Sequence, residues 1–134
     1  MSGSEEKREM SKSLKDPDGV LEGFAGFIEA LKAGDSVIIV EGKKDKVALE
    51  SLGLENVMTL AKPLYMVIEE VASKFKRAVI LTDLDKEGRL LYGKLSSGLQ
   101  RHGVIVDNSL RNFLLKSTKL RQIEGIYHYF DVDR

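Results

Sequence analysis

Short apolar runs alternate along the chain with longer segments in which apolar residues recur every three or four positions. The runs are rich in Val, Ile and Leu, which predicts short strands of a buried sheet. The predicted strands are 36–40, 56–60, 78–82 and 104–106. The three-to-four periodicity predicts helices. The predicted helices are 21–33, 43–52, 63–75 and 86–101, followed by two short helices within 108–134.

Strands that alternate with helices of this length are typical of βαβ units, whose crossovers are right-handed. We therefore predict an α/β fold with a Rossmann-like parallel four-stranded sheet flanked by helices. One helix precedes the sheet, and a C-terminal helical extension covers 108–134. Residues 1–16 are predicted to be a polar tail, and 17–134 a single domain.

The composition narrows the possible chemistry. The chain has 134 residues, of which 43% are hydrophobic and 31% are charged, as expected for one globular domain. It contains no cysteine and two histidines, which excludes disulfides, thiolate catalysis and cysteine-bound metals. A metal here would be a hard cation bound by oxygen ligands. No uncharged run exceeds six residues, so we expect no membrane span and a cytoplasmic protein.

The net charge of zero conceals an uneven distribution. Residues 86–121 hold eight basic and two acidic residues, a net charge of +6, and the remainder carries −6. A basic face of this kind would favour a polyanionic partner such as nucleic acid. Solvated helix surfaces explain the same pattern, so the charge alone does not decide between them.

Acidic residues follow two of the predicted strands. Glu41 comes directly after the first strand, and Asp83 and Asp85 follow the third. Ligands bind open parallel sheets at the carboxyl ends of the strands, where the strand order reverses. If the strand order is 2-1-3-4, these acids meet at that point. Carboxylates at such short distances repel each other unless a cation lies between them or one of them stays protonated. Mg²⁺ suits such oxygen ligands.

Simpler explanations exist for some of these acids. Asp85 could be a helix N-cap, and Glu87 a first-turn acid favoured by the helix dipole. That explanation does not account for three acids in five residues together with Glu41. Gly42-Lys43 lacks the second glycine and the spacing of a P-loop. Phospho-aspartate phosphatases and receiver domains would place their acid pair at the first strand, and here it follows the third.

The two strand-end motifs resemble those of the Toprim domain. They are Val-Glu-Gly-Lys at 40–43, with Asp45, and Asp-Leu-Asp-Lys-Glu-Gly at 83–88. The Toprim domain is shared by type IA topoisomerases, bacterial primases and small nucleases, including a ribosomal-RNA maturation enzyme. The resemblance covers about residues 35–107, and the short chain is similar to stand-alone primase-like Toprim proteins.

The resemblance implies a Toprim fold and a set of site residues. Asp83 and Asp85 would hold Mg²⁺, with Mn²⁺ as a substitute, and Glu87 would add a ligand directly or through water. Glu41 would act as the general acid or base at the phosphate and could also contact the metal. The implied catalytic residues are thus Glu41, Asp83 and Asp85. The implied chemistry is phosphodiester hydrolysis or nucleotidyl transfer.

Further residues are candidates for contact with phosphate or nucleic acid. Two glycines would allow close approach of the backbone, and three basic residues would bind phosphate, although the basic residues could equally be exposed helix positions. These candidates are Gly42, Lys43, Lys62, Gly88 and Arg89.

The expected function is that of a small Mg²⁺-dependent nuclease or RNA-processing enzyme acting on RNA or DNA. One alternative is a non-catalytic nucleic-acid-binding or adaptor module with a structural metal site. A further alternative is a primase-like nucleotidyl transferase. Topoisomerase activity is not expected, because it requires a nucleophilic tyrosine on a separate domain. Nucleic acid is the expected partner, and a protein partner or a second copy of the chain is also possible.

Overall fold

The computed structural model describes residue 16 and residues 18–130. The predicted polar tail lies outside these residues except for Asp16, as does the end of the predicted extension from 131 to 134. The carboxylate of Asp16 accepts the backbone N–H groups of Leu21 and Glu22, each at 2.9 Å. Asp16 thereby satisfies donors at the start of the first helix, which would otherwise lack partners.

The elements follow one another as predicted, with small shifts at their ends. In chain order they are α1 (Val20–Ala33), β1 (Val37–Val40), α2 (Lys43–Glu50), β2 (Val57–Thr59), α3 (Leu64–Lys74), β3 (Arg77–Ile80), α4 (Lys86–Arg101), β4 (Ile105–Val106), α5 (Ser109–Ser117), a 3-10 turn (Ile123–Gly125) and α6 (Ile126–Phe130).

The four strands form one parallel sheet in the order β2-β1-β3-β4. Ile39 of β1 pairs with Met58 of β2 on one side and with Ile80 of β3 on the other. Six helices flank the sheet in the part of the chain that is described. The predicted fold class is therefore confirmed: the protein has an α/β, Rossmann-like fold. The strand order reverses between β1 and β3, where the acidic residues follow.

Both faces of the sheet are buried, which explains why the strands are apolar runs rather than alternating sequences. Alternate residues of β1 enter different cores. Ile38 and Val40 pack with α1, α2, α5 and α6 on one face. Val37 and Ile39 pack with α3 and α4 on the other. The apolar faces of the helices close the two cores and fix the loops that follow the strands.

Some element ends differ from the prediction because polar contacts end the ladder early. The third strand ends at Ile80 rather than at 82, although the N–H of Leu81 still donates to Ile39 at 2.7 Å. The buried Thr82 then turns its hydroxyl to the carbonyl of Gly88 at 2.6 Å. Helix α2 ends at Glu50 and is followed by Gly53 in the left-handed region, with φ of 88°. No helix within the described residues is both long and apolar enough to cross a membrane.

Candidate functional site

The structure brings together the acidic residues that follow β1 and β3. Glu41 Oε2 accepts the backbone N–H of Asp83 at 2.7 Å, although the two residues are 42 positions apart. This contact forms because β1 and β3 are neighbours and both end at the same edge of the sheet. Glu41 and Asp83 are each half-buried there, so they lie at the surface of the protein and within reach of a ligand.

Each of the three predicted catalytic carboxylates, those of Glu41, Asp83 and Asp85, accepts a hydrogen bond from one backbone N–H. Asp83 Oδ1 accepts the N–H of Ile123 at 2.9 Å. Asp85 Oδ1 accepts the N–H of Gly88 at 2.8 Å. Asp85 is therefore the N-cap of α4, the simpler role suggested by its position in the sequence. With Glu41 Oε2, these contacts use one oxygen of each carboxylate. Within the described residues the second oxygens have no hydrogen-bond partner, and they can bind a ligand.

Asp45, which follows the Val-Glu-Gly-Lys motif, is a fourth acid of the site, and no role was predicted for it. Its side chain is buried, with 7% exposed, and Oδ2 accepts the N–H of Gly42 at 3.0 Å. This contact is the reciprocal half of a capping box at the start of α2. The spacing of Gly42 and Asp45 is the signal in the sequence that could have identified it.

The negative charges of neighbouring acids disfavour the ionised forms of Glu41 and Asp45. Burial raises the pKa of Glu41, and the nearby charges of Asp83, Asp45 and Asp85 raise it further, against the opposing effect of the Asp83 N–H. Burial likewise raises the pKa of Asp45, with added repulsion from Asp83 and Glu124. A cation at this edge would relieve that repulsion.

Glu41, Asp45 and Asp83 open into a cleft of about 400 Å³, which includes residues of the C-terminal extension but not Asp85. The cleft is lined by Glu41, Gly42, Lys43, Lys44, Asp45, Asp83, Gln122 and Glu124. Gln122 and Glu124 belong to the segment around the 3-10 turn, which also supplies the Ile123 N–H bound by Asp83. This contribution could not be predicted, because no pattern in 108–134 indicates where that segment folds back.

Arg111 supports the loop that carries the acids and was not predicted to do so. Its guanidinium, 3% exposed, donates to the carbonyls of Thr82 at 2.7 Å and Asp83 at 3.0 Å. It also lies over the ring of Tyr92, 4.7 Å from the centroid. One of the eight basic residues counted in 86–121 is thus buried and structural, which the charge count could not reveal.

Gly88 permits the close contact between the acidic loop and α4. A Cβ at Gly88 would lie 1.8 Å from the carbonyl oxygen of Asp83, a contact that the backbone cannot accept. Gly42 differs, because a Cβ there would meet no atom within 4 Å. The two glycines were predicted to allow close backbone approach, and the structure places such an approach at Gly88, between two parts of this chain.

Gly88→Ala is expected to destabilise the protein by about 3 kcal/mol, because the added methyl group overlaps backbone that cannot move freely. The matched control is Gly93→Ala in the same helix, where a Cβ meets nothing within 4 Å. The control should stabilise the protein by about 0.5–1 kcal/mol through helix propensity. Urea unfolding of both variants measures the difference. Equal stability of the two would show that the loop can move away from the methyl group.

Of the other predicted site residues, some line the acidic cleft and some do not. Lys43 lines the acidic cleft. Glu87 and Arg89 are exposed in the first turn of α4, and the structure gives no contact that joins either to the cleft. Lys62 lies elsewhere: it forms an ion pair with Glu70 at 2.9 Å and lines a separate hollow beside β2.

The donor chemistry of the cleft fits Mg²⁺. Carboxylate oxygens are the ligands this ion prefers, and it uses one or two of them while keeping waters or binding phosphate oxygens. The described residues contain no group of three or more His, Cys, Asp or Glu side chains that could hold a metal ion. Of the two predicted ligands, Asp83 lines the cleft and Asp85 is not among its lining residues.

No known family model matches the sequence. A UPF0292 protein of Methanocaldococcus jannaschii is 34% identical over 119 residues, which cover 84% of this chain and 93% of that protein. The chain belongs to the UPF0292 family. A UPF0292 protein of Pyrococcus abyssi is also 34% identical, over 80% of this chain and 83% of its own length. The function of this UPF0292 protein is therefore inferred from its site.

A solved structure of a protein from Aquifex aeolicus has the same fold as this UPF0292 chain. The TM-score is 0.70 with 35% sequence identity, over 75% of this chain and 95% of the Aquifex chain. The similarity supports the parallel sheet and its flanking helices as the framework of the acidic cleft.

Proposed function

We propose that this protein is a Mg²⁺-dependent Toprim-type enzyme that processes phosphodiester bonds in RNA or DNA, in the simplest case as a nuclease. The observation that carries the proposal is the hydrogen bond from the Asp83 N–H to Glu41. It joins the two strand-end motifs that resemble the Toprim domain, and Glu41 and Asp83 line one cleft. A Toprim relationship would account for that pairing and for the strand order around it.

Asp83 and Asp85 would hold the Mg²⁺, and Glu87 could contribute through water from the first turn of α4. When bound, the ion would neutralise negative charge that develops on the phosphoryl oxygens. Asp83 and Asp85 each retain an oxygen without a hydrogen bond among the described residues. The same two side chains are anchored by the N–H groups of Ile123 and Gly88, which reduces the conformational entropy lost on binding.

Glu41 is suited to moving a proton at the phosphate. Its pKa is raised by burial and by the surrounding acids, which brings it towards the range where a carboxyl group can both accept and release a proton. Lys43 lines the same cleft and could hold a phosphate oxygen. Arg111 keeps the loop of Asp83 in place through the carbonyls of Thr82 and Asp83.

A second candidate is a non-catalytic nucleic-acid-binding or adaptor module. It is favoured by one observation, that the described residues contain no group of three or more His, Cys, Asp or Glu side chains that could hold a metal ion. A primase-like nucleotidyl transferase would use the same acids with nucleoside triphosphates, and a test with those substrates distinguishes it from a nuclease.

The decisive experiment combines metal binding with a panel of substrates. The purified protein is incubated with structured RNA, single-stranded DNA and duplex DNA, each with Mg²⁺, Mn²⁺ or EDTA. We expect cleavage that requires the metal and is lost in Asp83→Asn/Asp85→Asn, a variant whose asparagines can still accept the Ile123 and Gly88 N–H groups. Titration calorimetry should show Mg²⁺ binding in the wild type and not in the double variant.

The matched control is Glu50→Gln, an exposed acid at the end of α2. It should cleave and bind Mg²⁺ as the wild type does. Equal metal binding by the double variant would refute the assignment of the ligands. Metal binding without turnover on any substrate, including nucleoside triphosphates, would favour the adaptor module.

A further inference from the structure

Exposed apolar side chains lie at the same edge of the sheet as the acidic cleft. Tyr65 and Met66, in the first turn of α3, are 65% and 40% exposed. Leu90, near the start of α4, is 61% exposed. Helices α3 and α4 pack against each other, and each follows a strand of the parallel sheet. Both therefore begin at the carboxyl edge, where the acids also lie.

Tyr65 differs from the other tyrosines in its surroundings. Its ring and hydroxyl have no hydrogen bond or ring contact within the described residues. Each of the other three has one: Tyr92 with Asn108, Tyr127 with His128, and Tyr129 with the N–H of Lys119. An exposed ring without a packing partner presents a flat face on which another planar group can stack.

Lysines line both the hollow beside β2 and the acidic cleft. Lys62, three residues before Tyr65, lines a hollow beside β2 together with Lys46. Lys43 and Lys44 line the acidic cleft itself. Lys43, Lys44 and Lys46 form no ion pair within the described residues, so their charges are available to an anionic ligand.

The surface around Lys62 keeps a net positive charge although Lys62 forms an ion pair. Glu70 binds both Lys62, at 2.9 Å, and Lys74, at 3.4 Å. These three side chains have a net charge of +1, and both lysines are more than half exposed. The hollow beside β2, which residues of α3 also line, thus carries a positive charge beside the helix that begins next to Tyr65. This charge favours a polyanion over an apolar protein surface as the occupant.

We infer that Tyr65 is a base-stacking platform for single-stranded nucleic acid, whose phosphates run along Lys46 and Lys62 towards the acidic cleft. Aromatic rings next to basic grooves bind single strands by this combination of stacking and charge. A duplex cannot use the ring in the same way, because its base faces are already stacked. The inference depends on the proposed function for the class of ligand, but binding requires no turnover.

The test measures the affinity for a fluorescently labelled single strand by anisotropy, with EDTA present so that no cleavage occurs. Tyr65→Ala is expected to weaken binding by about 5- to 150-fold, the usual value of one stacked base. Tyr65→Phe keeps the ring and should bind within about twofold of the wild type, since stacking does not need the hydroxyl. The control is Ile105→Ala, an exposed apolar residue on β4 that pairs with the first residue of β3, at the opposite edge.

Several results would overturn the inference. They are an absence of single-strand binding by the wild type, equal binding by Tyr65→Ala, and equal affinity for the matching duplex. A wild-type dimer in sedimentation that Tyr65→Ala converts to monomer would assign the exposed ring to self-association instead. Tyr65-dependent binding in a protein that cleaves nothing would support the platform while contradicting the enzyme. Cleavage with unchanged binding by Tyr65→Ala would do the reverse.

Discussion

Replacing Glu41 with glutamine is expected to lower the rate of phosphodiester cleavage by about 10²–10⁴-fold, the usual contribution of a positioned general acid or base. Glutamine retains the size of the side chain and an oxygen that can accept the Asp83 N–H, so the loop after β3 should keep its position. It cannot exchange a proton at neutral pH. The loss should therefore appear in turnover, while Mg²⁺ affinity measured by calorimetry stays close to that of the wild type.

The alternative role for Glu41 is that of a metal ligand, and it predicts a different result. Glu41→Gln would then weaken Mg²⁺ binding, and a higher Mg²⁺ concentration would restore turnover towards the wild-type rate. Restoration of that kind would contradict the acid–base role. The Glu50→Gln variant controls for the loss of one negative charge, and thermal unfolding of both variants shows whether the fold is intact.

The fold and the meeting of the acids could be predicted from the sequence because both depend on local patterns. Four apolar runs separated by helices require a parallel sheet, and the order 2-1-3-4 places the residues after β1 and β3 together. Glu41 and Asp83 follow those strands directly, so their proximity needs no knowledge of side-chain packing. The same reasoning explains why the bounds of α4 are as predicted, since Asp85 caps it.

Residues that act over long sequence distances could not be predicted in this way. Arg111 and the Ile123 N–H reach the acidic loop from helices and turns 28 and 40 positions away from Asp83. Lys62 follows β2 just as Lys43 follows β1, yet it pairs with Glu70 and lines another hollow. Spacing along the chain identifies the edge of the sheet at which a residue lies, but not the partner that it finds there.

Arg111→Ala is expected to destabilise the protein by about 3–5 kcal/mol, because the buried carbonyl of Thr82 and the partly buried carbonyl of Asp83 each lose a charge-assisted hydrogen bond. The carbonyl of Thr82 is the more sensitive of the two, since Thr82 is fully buried and water cannot replace the guanidinium there. The variant also loses the contact between the guanidinium and the ring of Tyr92. Urea unfolding measures the change in the free energy of unfolding.

Two further variants separate the geometry of Arg111 from its charge. Arg111→Lys keeps the positive charge but carries its N–H groups on one nitrogen, without the planar fork whose two nitrogens bind the two carbonyls, so it should recover only part of the lost stability. Arg101→Ala removes an exposed arginine from the end of α4 and should change stability by less than about 0.5 kcal/mol. If Arg111→Ala is as stable as Arg101→Ala, the carbonyls of Thr82 and Asp83 must find other donors. The loop of the acids would then be held by its other contacts, which include the hydrogen bond of the Asp83 N–H to Glu41 and that of the Ile123 N–H to the Asp83 carboxylate.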